Sequence, residues 1–259
     1  MRFFLVSVAM VLCFSLGIGE VRGEEVHKWN FKPAENNEPS HTEPEYKVLL
    51  DKYDGFFIGD PDKKNLYLTF DNGYENGYTE DILNVLEEKQ VPAAFFVTGH
   101  YLNSASDLVK RMVEEGHIVG NHSWNHPSLP EISDNKMENE LGRVKEEFQK
   151  LTGESDMLYL RPPQGTFNES SLAKTREMGY INIFWSFAYV DWETGQQKGA
   201  NHAYKSIMKR IHPGAVMLLH SVSEDNAKAL EKVIDDARKQ GYTFKSLDDL
   251  VMETELTVE

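Results

Sequence analysis

Seven short apolar runs recur along the chain, with an amphipathic stretch between most neighbouring pairs: Leu66 to Phe70, Ala93 to Thr98, His117 to Gly120, Leu158 to Leu160, Tyr180 to Ser186, Ala215 to Leu219 and Tyr242 to Phe244. Strands separated by helices cannot pair as hairpins. They must be joined by crossovers, which makes the sheet mostly parallel and covers it with helices. Ile82, Leu83, Val85 and Leu86 form one apolar stripe at helical spacing, and Leu108, Val109, Met112 and Val113 form another; both read as core. Thr79, Ser106, Ser133, Asn168 and Asn226 stand where N-caps belong, and Gly116, Gly153, Gly179 and Gly241 where helices end. The expected fold class is therefore α/β, a distorted, incomplete (β/α) barrel with about seven parallel strands. Periodicity alone leaves closure open.

The flanks read differently. Met1-Arg2 precedes an apolar run, Phe3 to Ile18, and Val21-Arg22-Gly23 supplies a small residue for cleavage, so residues 1–23 are expected to be a signal peptide rather than a retained anchor. The only cysteine, Cys13, lies inside it, which leaves the mature chain without disulfides or thiol ligands. Residues 24–62, rich in proline and asparagine, read as an extension wrapped on the main domain at 63–248, with a tail at 249–259. The formal net charge of -15 is not offset by any compact Lys/Arg run, so the surface as a whole should repel nucleic acid and anionic lipid, and neither is an expected partner; local basic grooves stay open. The expectation is an exported monomer, not inserted in the membrane after cleavage, acting in the cell wall or spore intermembrane space.

Reactive side chains follow the apolar runs, where an α/β enzyme carries its chemistry. Asp71 and Asn72 end one strand before Gly73, a position that an Asx turn would also explain. His122 and His126 are four residues apart, a separation at which two imidazoles reach one point if the segment turns helically; two unrelated surface histidines are the plainer reading. Arg161, in Leu160-Arg161-Pro162-Pro163-Gln164-Gly165, needs an acidic partner, for which Asp71 is a candidate. Asp191 and His220 end two further runs, and an aspartate can hold an imidazole charged or in one tautomer. Tyr74, Tyr78, Trp124, Phe167, Tyr189 and Trp192 could stack on sugar rings, about half of them being ordinary packing.

Taken in order, these segments resemble the polysaccharide deacetylase (NodB-homology) family over roughly residues 63 to 248. The likeness extends to the subgroup of spore-forming bacteria that deacetylates N-acetylmuramic acid and forms muramic δ-lactam in cortex peptidoglycan, through Thr69 to Tyr78, Tyr159 to Pro163, Val190-Asp191-Trp192 and His220 to Ser223, with an extension around Trp29 to Lys32. The resemblance implies roles: Asp71 as general base, Arg161 as its partner, His122 and His126 as metal ligands, the Gln164 backbone N–H toward the oxyanion, and Asp191 orienting the acid His220. It further implies a divalent ion, zinc by preference, with Asn72 as third ligand where the family usually has aspartate. Ala188 and Ser221 also replace common acidic residues. Peptidoglycan glycan strands are the implied partner, and removal of N-acetyl groups the implied reaction. Two other readings stand beside it: a glycoside hydrolase using Asp71, Glu75, Asp191 and Glu193, or a non-catalytic glycan-binding protein motivated by Asn72.

Overall fold

The structure is a computed structural model and describes residues 24–35 and 38–255. The expected signal peptide lies outside the described residues. In chain order the elements are β1 (His27–Lys28), α1 (Pro44–Lys52), β2 (Asn65–Asn72), α2 (Thr79–Lys89), β3 (Ala93–Val97), α3 (Gly99–Ser104), α4 (Ser106–Glu114), β4 (Ile118–Asn121), α5 (Asp134–Thr152), β5 (Tyr159–Leu160), β6 (Thr166–Phe167), α6 (Glu169–Glu177), β7 (Ile181–Asn182), α7 (Ala200–Met208), β8 (Ala215–His220), α8 (Glu224–Lys239), β9 (Thr243–Phe244) and α9 (Leu247–Glu255). No helix among the described residues is long and apolar enough to cross a membrane.

Seven of the strands form one parallel sheet in the order β7-β5-β4-β3-β2-β8, with β9 also on β2. The sheet curls into a partial barrel, as the alternation of strands and helices implied. Residues Ile183 to Phe187 run from the β7 edge to β8, where Phe187 bridges Met217 and the Leu218 N–H reaches the Phe187 carbonyl at 2.9 Å. The distortion thus sits between β7 and β8, where the ladder is reduced to single bridges.

Alternation along β2 separates two cores. Leu66, Leu68 and Phe70 face the helix layer and pack with Phe95, Val97, Ile82 and Val233, whereas Tyr67 faces the barrel interior with Ala94, Phe96, Tyr159, Ile183 and Val216. Leu247 and Leu250 of α9 close that interior from below. The boundary read at residue 248 falls within this helix, and Leu250 is fully buried. The extension packs through Trp29, Leu50 and Phe57 against Phe167, Leu172 and Phe184, and β1 pairs antiparallel with β6.

Ser133 and Asn168 cap α5 and α6 through their side chains, the latter with a reciprocal bond from Ser171. The other three expected caps sit inside their helices. Thr79 and Ser106 are first helical residues, and α8 is capped by Ser223, which accepts the Asn226 N–H. The cause is competition for the polar group: the Thr79 hydroxyl is engaged by Glu75 and Tyr101, and the Asn226 amide by Asp191.

Gly120 in β4 shows how tightly the interior is filled. A Cβ there would lie 2.6 Å from two Phe96 ring carbons, with the Tyr159 carbonyl 3.1 Å away on the other side. Overpacking of this kind costs about 1–3 kcal/mol. Gly120→Ala is expected to lower unfolding free energy by that amount, with an unchanged m-value in urea.

Candidate active site

Asp71 and Tyr67 lie on one face of β2, so Asp71 points into the top of the barrel interior. Its register partner on β8 is His220, which puts the two residues side by side on the same face. Arg161, immediately after β5, is completely buried beneath them. Its Nη1 donates to Asp71 Oδ1 at 2.7 Å, its Nε donates to the Ile183 carbonyl at 3.1 Å, and its guanidinium carbon lies 4.2 Å from the Phe96 ring centre. Burial alone would push the Asp71 carboxyl up. The charge of Arg161, with that of a protonated His220, outweighs it and holds the carboxyl below its ordinary range.

The two histidines do not share a helical turn. Pro127 follows them, and the segment is a loop in which Ser123 and His126 take positive φ, 63° and 58°. Its shape is held by Ser123 Oγ, which accepts the His126 N–H at 2.9 Å, and by buried Glu140, which accepts from the Asn125 N–H and Nδ2, both at 2.7 Å. His122 Nδ1 lies 2.8 Å from the Arg161 carbonyl. A carbonyl only accepts, so Nδ1 carries the proton and the Nε2 lone pair is left facing His126 Nε2 at 3.2 Å. Burial drives the His122 pKa down to about 4 and also lowers that of His126, so both rings are neutral near pH 7.

Two neutral imidazoles aimed at one point suit a divalent cation, since ligand distances of about 2.0–2.1 Å place paired nitrogens at close to this separation. Asn72 ends β2, fully buried, with neither amide atom hydrogen-bonded. It pairs in register with Val97, whose carbonyl receives the His122 N–H at 3.0 Å, so an orphaned amide lies one strand from the imidazoles. The two imidazoles fit a cation; Asn72 shares its face of β2 with Leu68 and Phe70, which pack on the helix layer, and does not line the cleft. Among the described residues no group of three or more His, Cys, Asp or Glu is placed to hold one.

His220 is organised from the other side. Asp191 Oδ1 lies 2.7 Å from His220 Nδ1, and Asp191 Oδ2 accepts the His220 backbone N–H at 2.8 Å and Asn226 Nδ2 at 2.6 Å. Burial opposes protonation of this imidazole, but the Asp191 hydrogen bond and charge prevail and its pKa is raised. Trp192 stands edge-on to the ring, 5.4 Å between centres.

These groups converge on one cleft of about 570 Å³, lined by Asp71, His122, His126, Gln164, His220 and aromatic rings. Gln164 has left-handed φ of 61° and an exposed side chain; Gly165 beside it, φ 65°, has no room for a Cβ, which would come within 2.9 Å of Trp185 and 3.0 Å of Trp29. Of the six aromatics considered from sequence, Tyr74 and Trp192 line the cleft and are half exposed. Phe167 is core, Tyr78 packs on the helix layer, Tyr189 packs there and bonds Asn226, and Trp124 stacks under Arg143. Lys28, Trp29 and Trp185 also line the cleft and carried no strand-end signal. Trp29 reaches it from the extension through β1 and an Nε1 bond to the Trp185 carbonyl at 3.0 Å.

The polysaccharide deacetylase family profile matches residues 58–183. The peptidoglycan-N-acetylmuramic acid deacetylase PdaA of Bacillus subtilis is 48% identical over 248 residues, 96% of this chain and 94% of the relative. This chain belongs to the polysaccharide deacetylase family. The solved structure of Bacillus subtilis PdaA, described as a family 4 carbohydrate esterase, superposes with a TM-score of 0.87 at 50% identity, covering 89% of this chain and 98% of that one. A peptidoglycan-N-acetylglucosamine deacetylase of Bacillus cereus is 30% identical over 205 residues, 78% of this chain and 73% of its own. Asp191 and His220 lie beyond the stretch the profile matches, and the fold brings His220 into the cleft with Asp191 buried behind it.

Membership makes the chain an amide hydrolase of glycans, and the family is metal-dependent. The glycosidase reading fails on the carboxylates themselves. Of the four, only Asp71 lines the cleft and it has no carboxylate partner there: Asp191 is bound to His220 and Asn226, while Glu75 is tied to the Gly77 N–H, Thr79 and Tyr101. Neither Glu75 nor Glu193 lines the catalytic cleft.

Because the His220 pKa is raised on folding, its contribution to stability is complete below the ordinary histidine value of about 6.5 and is lost as pH rises through the folded value. Urea unfolding is expected to show stability falling above about pH 6.5 in the wild type. Asp191→Asn should flatten that fall and lower the His220 titration midpoint followed by NMR.

Proposed function

We propose that this enzyme removes the N-acetyl group of N-acetylmuramic acid in peptidoglycan glycan strands, releasing acetate and leaving a free amine. The observation that carries the reading is the convergence in one cleft of an ionised carboxylate, a neutral imidazole pair and an imidazole held toward its protonated form. Amide cleavage requires each: a base for water, a site that withdraws charge from the carbonyl, and an acid for the leaving nitrogen. The sugar is inferred from the extent of the likeness to PdaA, which spans nearly the whole chain.

Asp71 takes the proton of the attacking water, and Arg161 keeps the carboxylate ionised to do so. The Gln164 N–H, in the left-handed turn at the cleft wall, donates to the oxyanion that develops from the acetyl oxygen. With Nδ1 committed to Asp191, His220 presents Nε2 to the cleft and delivers its proton to the departing amine. A divalent ion, zinc in this reading, would be held by His122 and His126, and by Asn72 only if its amide turned from the helix layer to the cleft; there it would polarise the acetyl carbonyl and acidify water. Export as a monomer to the cell wall or spore intermembrane space, and supply of the muramic amine that closes a δ-lactam in spore cortex, complete the proposal.

Asp71→Asn and His220→Gln are each expected to lower acetate release from peptide-free glycan by about 10²–10⁴-fold with an unchanged circular dichroism spectrum. Full activity in either variant removes the assigned role. Chelation should abolish release and added zinc restore it. Mass spectrometry of the product should place the missing acetyl on muramic acid; loss from glucosamine instead would transfer the proposal to the other sugar.

A further inference from the structure

A second groove, of about 680 Å³, begins on the far side of Trp192, which lines both it and the catalytic cleft. Its floor is Phe31, Ala188, Tyr189 and exposed Val190, and its rim carries four cations, Lys198, Lys205, Lys209 and Arg210, with His202 among them. No Lys/Arg run announces this in the sequence. The rim comes together because His202 and Lys205 share one face of α7, with Lys198 just ahead of its N-cap and Lys209 at its C-cap, while Ala203 and Ile207 bury the opposite face.

Lys47, Lys52, Lys89, Lys174, Lys228 and Lys232 each have a carboxylate within 4.0 Å, whereas the unpaired lysines outside this groove, such as Lys28, Lys64 and Lys136, are not gathered into one cavity wall. Among the described residues no carboxylate comes that near to Lys198, Lys205, Lys209 or Arg210, in a chain of net charge -15. Lys205 in the last turn of α7 and Lys209 at its C-cap are four apart, a like-charge pairing that an anion between them would relieve. The nearby acids are turned to other work. Asp225 accepts the Gly199 N–H at 2.7 Å, and Glu193 lines a small adjoining recess rather than the groove.

An exposed indole shared with the active site and a row of unneutralised cations beyond it describe a surface for a polymer that carries both sugar faces and regular anionic groups. Resting on the deacetylation of muramic acid proposed above, the geometry points to this groove as a second glycan subsite, which binds the free lactyl carboxylate of a muramyl residue further along the strand being deacetylated. The strand leaves the catalytic sugar, passes Trp192 and lays its next carboxylate against Lys205 and Lys209. A stem peptide would convert that carboxylate to an amide and remove the charge that Lys205 and Lys209 face.

Binding to the full chain is measured by titration with three glycan strands: carboxylates free, the same strand amidated by carbodiimide coupling, and a strand retaining stem peptides. The free-carboxylate strand should bind about tenfold or more tightly than the other two, and the margin should vanish in about 1 M salt, where the Debye length is about 3 Å. Lys205→Glu/Lys209→Glu should erase the margin and Lys198→Gln should narrow it, each with an unchanged melting curve. Equal binding of all three strands by the wild type, or tighter binding of the peptide-bearing strand, overturns the subsite, and neither result depends on a variant folding. Acetate release is followed in the same samples. A carboxylate-dependent margin without acetate release refutes the deacetylation reading and keeps the groove, whereas acetate release without the margin refutes the groove alone.

Discussion

The guanidinium of Arg161 is a full charge with no solvent exposure, and the top of the barrel is arranged around keeping it there. An isolated ion in such a place is untenable, and removing one partner of a buried pair typically costs about 3–5 kcal/mol. Arg161 is compensated by Asp71, by the Ile183 carbonyl and by the face of Phe96, three contacts drawn from different strands or their ends. The same residue offers its own carbonyl to His122 Nδ1 and thereby decides which imidazole nitrogen faces the cleft. One position therefore fixes both the charge of the base and the tautomer of the first metal-binding candidate.

That pairing also explains how two aspartates, one lining the cleft and one buried behind His220, come to serve opposite ends. Asp71 is held ionised by a cation that cannot lose its proton, and its outer oxygen is left 3.5 Å from His122 Nε2. Asp191 is consumed by His220, a backbone N–H and Asn226, and its charge is spent on keeping the imidazole protonated. Pushing a base down and an acid up is the arrangement that general acid–base chemistry near neutral pH demands. Substitution of Asn72 for a carboxylate leaves this division untouched, because neither Arg161 nor Asp191 depends on it.

Much was legible in the linear order of residues. The alternation of apolar runs and amphipathic stretches foretold a parallel sheet under helices, and each strand-end polar residue was visible as a break in an apolar run. What escaped was anything decided by partners remote in sequence. Thr79 and Asn226 look like caps until Glu75 and Asp191 compete for them. Lys28 and Trp29 look like part of a polar extension until β1 docks on β6 and turns them into cleft wall. Leu250 looks like the start of a tail until it plugs the barrel floor.

By itself, the sequence determined the class of fold and the inventory of chemistry, because strand and helix periodicities and the residue types at strand ends are local properties that survive without coordinates. Only tertiary structure decided that Asp71 and His220 stand side by side, that two imidazoles separated by a left-handed loop share one point, and that scattered lysines line one groove. Those outcomes depend on strand register, burial and charge compensation across segments up to 149 residues apart along the chain, from Asp71 to His220, and such terms exist only once the segments have met.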